Sequence, residues 1–323
     1  MTARVFEIDS ARYRSHALHA DGQDWEETNC ATDMWIEILH SLGLDPVAGL
    51  AFTVATGFGG DQWRMFTYPA EDLRLLYGVQ VDELNVWRPL VDHVEEQLAL
   101  GYLVGFDADA YFLPDTAGLT YRQAHQKTTI CAEMIDRAAR RLGYFHNAGY
   151  AELAGDDFDD LFGLSGETGP EVLPPYSEQI RLDTVDPKAA SLDAVIARLQ
   201  VHLDRRPPQN PMAALTRRLV ADAGWLAAHD MDAFHRYAFG TCRQVGANGQ
   251  LAAAFVDWLG ARDGGGLEEV AACFRHVSNA AKQLEFKLAR VAAGRLVDLE
   301  KTMAPMEESW ATASQALAAR YGG

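Results

Sequence analysis

Residues 23–46 do most to limit what this chain can fold into. A polar, acidic lead-in ends at Asn29, and Cys30 follows. Trp35, Ile36, Ile38, Leu39 and Leu42 then recur at helical spacing. Gly43 and Pro46 stop the run, and Thr28 or Asn29 can cap its start. The predicted helix therefore opens on Cys30, where unpaired backbone amides and the macrodipole favour a thiolate. Gln23 lies just upstream, within reach of the same spot if the lead-in folds back. A cysteine near a helix start is more often a small buried hydrophobe, so a nucleophile needs a base elsewhere in the chain.

The 323 residues are enough for two domains, and with 48% hydrophobic residues they can build a sizeable core. The formal charge of -18 argues against nucleic acid as a partner, because phosphate binding needs a positive footprint. An acidic, soluble, cytoplasmic protein is expected. Cys30, Cys131, Cys242 and Cys273 are far apart and form no CxxC pair, so neither a zinc site, another metal site nor a disulfide framework is expected. The N-terminus has no signal-peptide core, and no apolar run is long enough to span a membrane. No cofactor motif appears: Gly57, Gly59 and Gly60 lack the ending of a phosphate loop and read as a turn.

Taken in order, the chain predicts a short strand at 4–8, with His16 and His19 in surface or capping roles, and a strand at 51–54. A helix at Ala70–Tyr77, a strand at 79–86, a helix at 89–100 opening on Pro89 and a strand at 102–108 follow. His93 is taken as a surface residue. Two runs, 125–135 with its β-branched Thr-Thr-Ile stretch and 141–147, resemble a hairpin. Residues 155–188 are rich in Gly, Pro and acids and read as loop; their DDFDD run lacks calcium-loop spacing. Beyond 189 strand signals vanish, and helices are expected at 191–205, 211–229, 231–247, 250–262 and 267–304, with a further one toward 320. Pro207-Pro208, Asn248-Gly249, Gly264–Gly266 and Pro305 are the expected breaks. His202, His229, His235 and His276 lack ligand spacing.

A thiol nucleophile needs a base and an orienting group. In papain-like folds the cysteine opens a central helix, a histidine begins a facing strand, and an Asn or Asp sits on the next. Cys30, His125 and Asn147 occur in that order. Gln23 and the Cys30 amide would bind the oxyanion. His146 competes for either role, and alternation puts His146 and Asn147 on opposite faces. Each residue also has a plainer role: a solvated strand start for His125, a turn for Asn147, a surface position for Gln23. The expected fold class is α+β. A papain-like domain at 1–165, with a central helix on an antiparallel sheet, is followed by a linker at 166–188 and an all-α helical domain at 189–323.

The segments NCATDMWIEILHSLGLDP, FGGDQWRMF, ELNVWRPL, DAYFLPDT with YRQAH, and GYFHNAGY resemble an uncharacterised bacterial family known only as a domain of unknown function, number 1839. The first half is similar, more distantly, to the N-terminal papain-like domain of the butirosin biosynthesis protein H, an acyltransferase. The shared pattern is a cysteine opening a helix, then D-x-Y-x-L-P, then Y-x-x-x-H. Here that is Cys30, Asp109 with Tyr111, and Tyr121 with His125. The resemblance implies an acyl or aminoacyl transferase that moves a carrier-protein thioester to an amine, with Asp109, Tyr111 and Tyr121 as supporting residues. The alternatives are a cysteine hydrolase using the same site and a non-enzymatic interaction protein, and homodimerisation through the helical half is open. Arg137, Arg140 and Arg141 are the nearest basic patch for docking an acidic carrier protein, or an ordinary solvated turn.

Overall fold

The computed structural model describes residues 2–20, 23–25, 28–165 and 173–322. The chain forms two compact units, one from Met1–Ala20, Asn29–Leu44 and Leu73–Ala189, the other from Asp21–Thr28, Asp45–Asp72 and Ala190–Gly323.

The first is the sheet unit. Its elements in chain order are β1 (Ala3–Arg4), α1 (Cys30–Ser41), the end of α2 (Ala70–Tyr77), β2 (Gln80–Glu83), α3 (Leu90–Ala99), β3 (Leu103–Asp109), β4 (Lys127–Asp136), β5 (Arg141–His146), β6 (Gly149–Ala154), α4 (Asp156–Leu161) and β7 (Ser177–Arg181). The strands lie in the order β2-β7-β3-β4-β5-β6, all antiparallel. β1 pairs with β4 at Met134 and Ile135, beyond the end of β3.

Strand alternation divides this sheet into two buried faces. On one, Val104, Phe106, Ile130, Ala132, Leu142 and Tyr144 pack with Val91, Val94 and Leu98 of α3 and Phe158 of α4. The three α3 positions are spaced three and four apart, as a helix needs to bury one stripe. On the other face Phe145 and Tyr150 meet the rings of Phe6 and Tyr13. Tyr13 Oη donates to Glu37 Oε2 of α1 at 2.6 Å, so this is the face that α1 covers. Gly143 is required there, because a Cβ would stand 2.0 Å from Tyr150 Oη.

Several expectations change in this unit. Residues 155–188 are not simply loop. The DDFDD acids open α4, with Asp156 and Asp159 held by Arg140 and Asp157 and Asp160 by Arg122. Further along, β7 sits inside the sheet between β2 and β3. The stretch 166–188, expected as a linker, thus contributes a strand whose pattern is too short and polar to stand out. His93 is buried rather than exposed; its Nε2 accepts from Trp87 N at 3.3 Å.

The helical unit holds α5 (Leu192–Asp204), α6 (Pro211–Ala227), α7 (Met231–Ala238), a π turn (Phe239–Arg243), α8 (Gln244–Arg262), α9 (Glu268–Ala292) and α10 (Leu299–Tyr321). Residues 51–54, expected as a strand, lie in a 3-10 helix, Pro46–Ala55. Asp45 caps it by accepting from Val47 N, and Pro46 suits the first turn. Asn248-Gly249 does not break the chain but lies inside α8, where Asn248 Nδ2 donates to Thr53 O at 2.9 Å. A Cβ on Gly249 would come within 3.0 Å of Phe274 O, so the glycine serves close helix packing, not a turn. Pro305 lies within α10 rather than ending a helix. Buried Asp72 accepts from Arg198 Nε at 2.7 Å and lies 2.6 Å from His202 Nε2. Among the described residues no helix is long and apolar enough to cross a membrane.

Candidate functional site

Cys30 is the first residue of α1. Asn29 is the cap, its side chain accepting from Thr32 N at 3.0 Å, which leaves the Cys30 amide among those a helix does not satisfy internally. Cys30 is half-buried and unpaired, whereas burial pushes the thiols of Cys131 and Cys242 up, the latter to about 12. Helical position and access thus single out Cys30 over these two.

The structure gathers three of the expected residues around His125. Its Nδ1 lies 2.6 Å from Asp109 Oδ2. The other Asp109 oxygen accepts from Tyr111 N at 3.0 Å and Gln126 N at 3.2 Å. Two backbone amides therefore fix the carboxylate, and an ionised carboxylate makes Nδ1 the donor and leaves Nε2 as the open acceptor. The Tyr111 ring stacks on the imidazole at 4.4 Å and 16°. Arg122 stands 5.5 Å from the centre of Tyr111 and is itself anchored to Asp160 at 2.9 Å. Tyr121 is one step further out, its Oη donating to Asp157 Oδ2 at 3.0 Å. The His125 side chain is 71% exposed.

The hydrogen-bond partner of His125 is Asp109, not Asn147. Asn147 has φ 46° and sits in the turn between β5 and β6, a left-handed position that Asn tolerates better than most residues. Among the described residues no hydrogen bond joins His125 to Asn147 or to Cys30. His146 belongs to a separate buried chain: Thr128 Oγ1 lies 2.8 Å from its Nε2, and Asp115 Oδ2 lies 2.5 Å from its Nδ1. Burial raises the Asp115 pKa, but the His146 hydrogen bond and charge outweigh it and hold the carboxyl below its ordinary value. This chain ties the turn at 114–116 to the sheet. Gln23 is exposed in the helical unit.

Register places these groups relative to α1. Asp109 pairs with Lys127, Asp107 with Thr129, Gly105 with Cys131, and Cys131 with Phe145. Alternation therefore puts Asp109 on the same sheet face as Phe145, the face α1 covers, and His146 on the opposite one with Tyr144. At the end of β3 a cavity of about 660 Å³ opens, lined by Asp109, Trp87, Phe106, Phe112, Phe162 and Pro175 among others. Its walls combine aromatic rings with the charged residues Arg88, Asp107, Asp109 and Asp160.

The arginines expected to dock a carrier are matched by acids. Arg137 reaches Asp92 at 2.5 Å, Arg140 reaches Asp156 and Asp159, and Arg141 pairs with Glu152. This turn presents no free basic patch. A cluster that sequence reasoning missed lies under α1. His19 was expected at the surface but is 1% exposed, with Nδ1 2.5 Å from Glu37 and Nε2 3.2 Å from Asp33. The available signal was an i, i+4 pair of carboxylates on an otherwise apolar helix.

A search of curated proteins found no match. Two family models do match. One, described as the DUF1839 N-terminal domain, covers residues 14–182, and the other, the DUF1839 C-terminal domain, covers 188–319. With both domains matched over nearly its whole length, the chain belongs to the DUF1839 family.

Proposed function

We propose that this chain is a thiol-dependent acyl or aminoacyl transferase acting through an acyl-Cys30 intermediate, with His125 as base and Asp109 as its orienting group. The supporting observation is the Asp109–His125 pair. Its carboxylate is fixed by two amides, and Asp109 stands on the sheet face covered by the helix that Cys30 opens. The likeness of Cys30, Asp109-x-Tyr111 and Tyr121-x-x-x-His125 to the papain-like butirosin protein H domain belongs with this reading. The site is drawn from the sheet unit alone.

In the first half-reaction Cys30 Sγ, its proton passed to His125 Nε2, attacks the carbonyl carbon of a thioester. The bond to the donor sulfur breaks and that thiolate leaves with the proton. An amine then attacks acyl-Cys30, its proton goes to His125, and the Cys30 thiolate is released. Donors for the oxyanion come from the first amides of α1. Asp109 holds the imidazole tautomer that keeps Nε2 free.

The test is mass spectrometry of the chain after incubation with an aminoacylated carrier protein. A mass increase lost on treatment with hydroxylamine and absent from Cys30→Ala supports the assignment; identical spectra for both proteins overturn it. Asp109→Asn should lower acyl transfer about 100-fold, within the range for a positioned acid–base group. The exposure of His125 favours a second reading, a hydrolase with water as acceptor. Product analysis with and without added amines separates the two.

A further inference from the structure

A second cleft lies in the helical unit, away from every residue assigned a role above. Two adjoining cavities, about 300 Å³ and 210 Å³, share Ala55 and Thr56. The larger is walled by Arg64, Phe66, Thr67, His202 and Arg205, and the smaller by Arg206, Pro207, Trp310 and Ser314 among others. Neither lining contains a carboxylate, although the chain carries 46 acidic residues against 28 Lys and Arg. Asp72 is buried and takes Arg198 and His202, and the half-exposed Glu71 pairs with Arg198 at 2.9 Å and more loosely with Arg205 at 3.7 Å. The Arg64 side chain has no ion pair or hydrogen-bonded partner among the described residues.

Helix chemistry explains only part of this. Arg206 Nη1 donates to Leu203 O at 2.6 Å, so it caps the carbonyl end of α5. Arg64 comes from a different element, the turn at 57–64, which Arg64 N closes by donating to Gly57 O at 2.9 Å. That turn is packed directly on the one carrying Arg205 and Arg206, because a Cβ on Gly57 would stand 2.5 Å from Pro207 Cγ. Two arginines from separate loops, Arg64 and Arg205, thus line one opening together with Thr67. Forked donors of this kind match the oxygens of a phosphate. The adjoining cavity adds the rings of Pro207 and Pro208, suited to a flat organic body.

We propose that this cleft binds a small organic phosphate. Its phosphoryl oxygens meet Arg64 and Arg205, and its body lies along Pro207 and Pro208.

Calorimetric titration of the full chain with phenyl phosphate, at ionic strength held constant with sodium chloride, tests this. Inorganic phosphate and phenol serve as half-ligands. Phenyl phosphate should bind with one site per chain and more tightly than either half. Arg64→Gln and Arg205→Gln should each weaken it about ten-fold or more, the scale of one lost charge-assisted hydrogen bond. Arg290→Gln, at an exposed arginine of α9, should leave it unchanged. Both cleft arginines are exposed, and thermal melts of the variants confirm folding. Thr67→Glu, which places a carboxylate in the opening, should abolish binding independently. Failure of both phosphates to bind at millimolar concentration overturns the proposal. So does an affinity unchanged in Arg64→Gln and Arg205→Gln, or lowered equally in Arg290→Gln. Equal affinities for phenyl and inorganic phosphate would refute the contact with the organic body.

Discussion

His19 provides a sharp test of the electrostatics under α1. The ring is enclosed between Asp33 and Glu37, with every side chain of the three at most 1% exposed. Burial alone would lower its pKa, but hydrogen bonds to both carboxylates and their charges outweigh that and raise it from 6.5 to about 9. A folded-state value above the unfolded one contributes stability that is complete below pH 6.5 and lost as pH rises through about 9. The difference of about two and a half decades, at about 1.36 kcal/mol each, corresponds to roughly 3 kcal/mol. The reference should be a neutral triple variant, His19→Gln with Asp33→Asn and Glu37→Gln, which keeps the shapes and removes the charges. Urea unfolding of both proteins, followed by far-ultraviolet circular dichroism from pH 6 to 9.5, gives the difference in stability. Subtraction also cancels the ionisation of Cys131 and Cys242 on unfolding, whose raised folded values destabilise both proteins at the alkaline end. The wild-type advantage should shrink by roughly 3 kcal/mol across this range. A flat difference would mean that the imidazole is not held as a cation and would refute the reasoning.

Asn147→Gly relieves a left-handed residue and should leave stability equal or higher by up to about 1 kcal/mol. On the proposed function, acyl transfer should persist, since the group bonded to His125 is Asp109; loss of turnover in the folded variant would restore Asn147 to the site. Gly143→Ala drives a methyl into Tyr150 Oη and breaks its bond to buried Glu133, so chemical denaturation should register a loss of about 2–3 kcal/mol. An unchanged midpoint would contradict the packing described. Asp72→Asn leaves Arg198 and His202 without their shared anion and should cost about 3–5 kcal/mol, measured by calorimetry, whereas a loss below about 1 kcal/mol would show the cluster to be solvated.

Much of the architecture was legible because periodicity and end signals agreed. α2 falls at the expected residues, and α1, α3, α5 and α6 lie within two residues of the expected bounds. Their caps or prolines at Asn29, Pro89, Ser191 and Pro211 are visible in the sequence. The failures share a physical cause, tertiary contact overriding local preference. Residues 51–54 look like a strand because they are apolar on every side, yet burial on every side also suits a helix between others. Asn248-Gly249 looks like a turn, but Asn248 finds its partner across the unit at Thr53 and Gly249 admits the backbone of α9. Pairing of Asp109 with His125 was half-visible, since the motif named both residues. Its hydrogen bond depends on β3 and β4 lying side by side, which no local pattern reveals. His19 was misjudged because a histidine in a polar lead-in carries no trace of the two carboxylates waiting on α1.

The position of β7 has a consequence for how this polypeptide comes off the ribosome. β2 and β3 emerge early, but the strand that belongs between them is translated last of the seven. Until residue 181 is released, both strands carry an open edge of the kind that recruits foreign chains. Truncation at 165 would make that interval permanent, and such a fragment should aggregate. A cut after 188 leaves the nascent ladder complete.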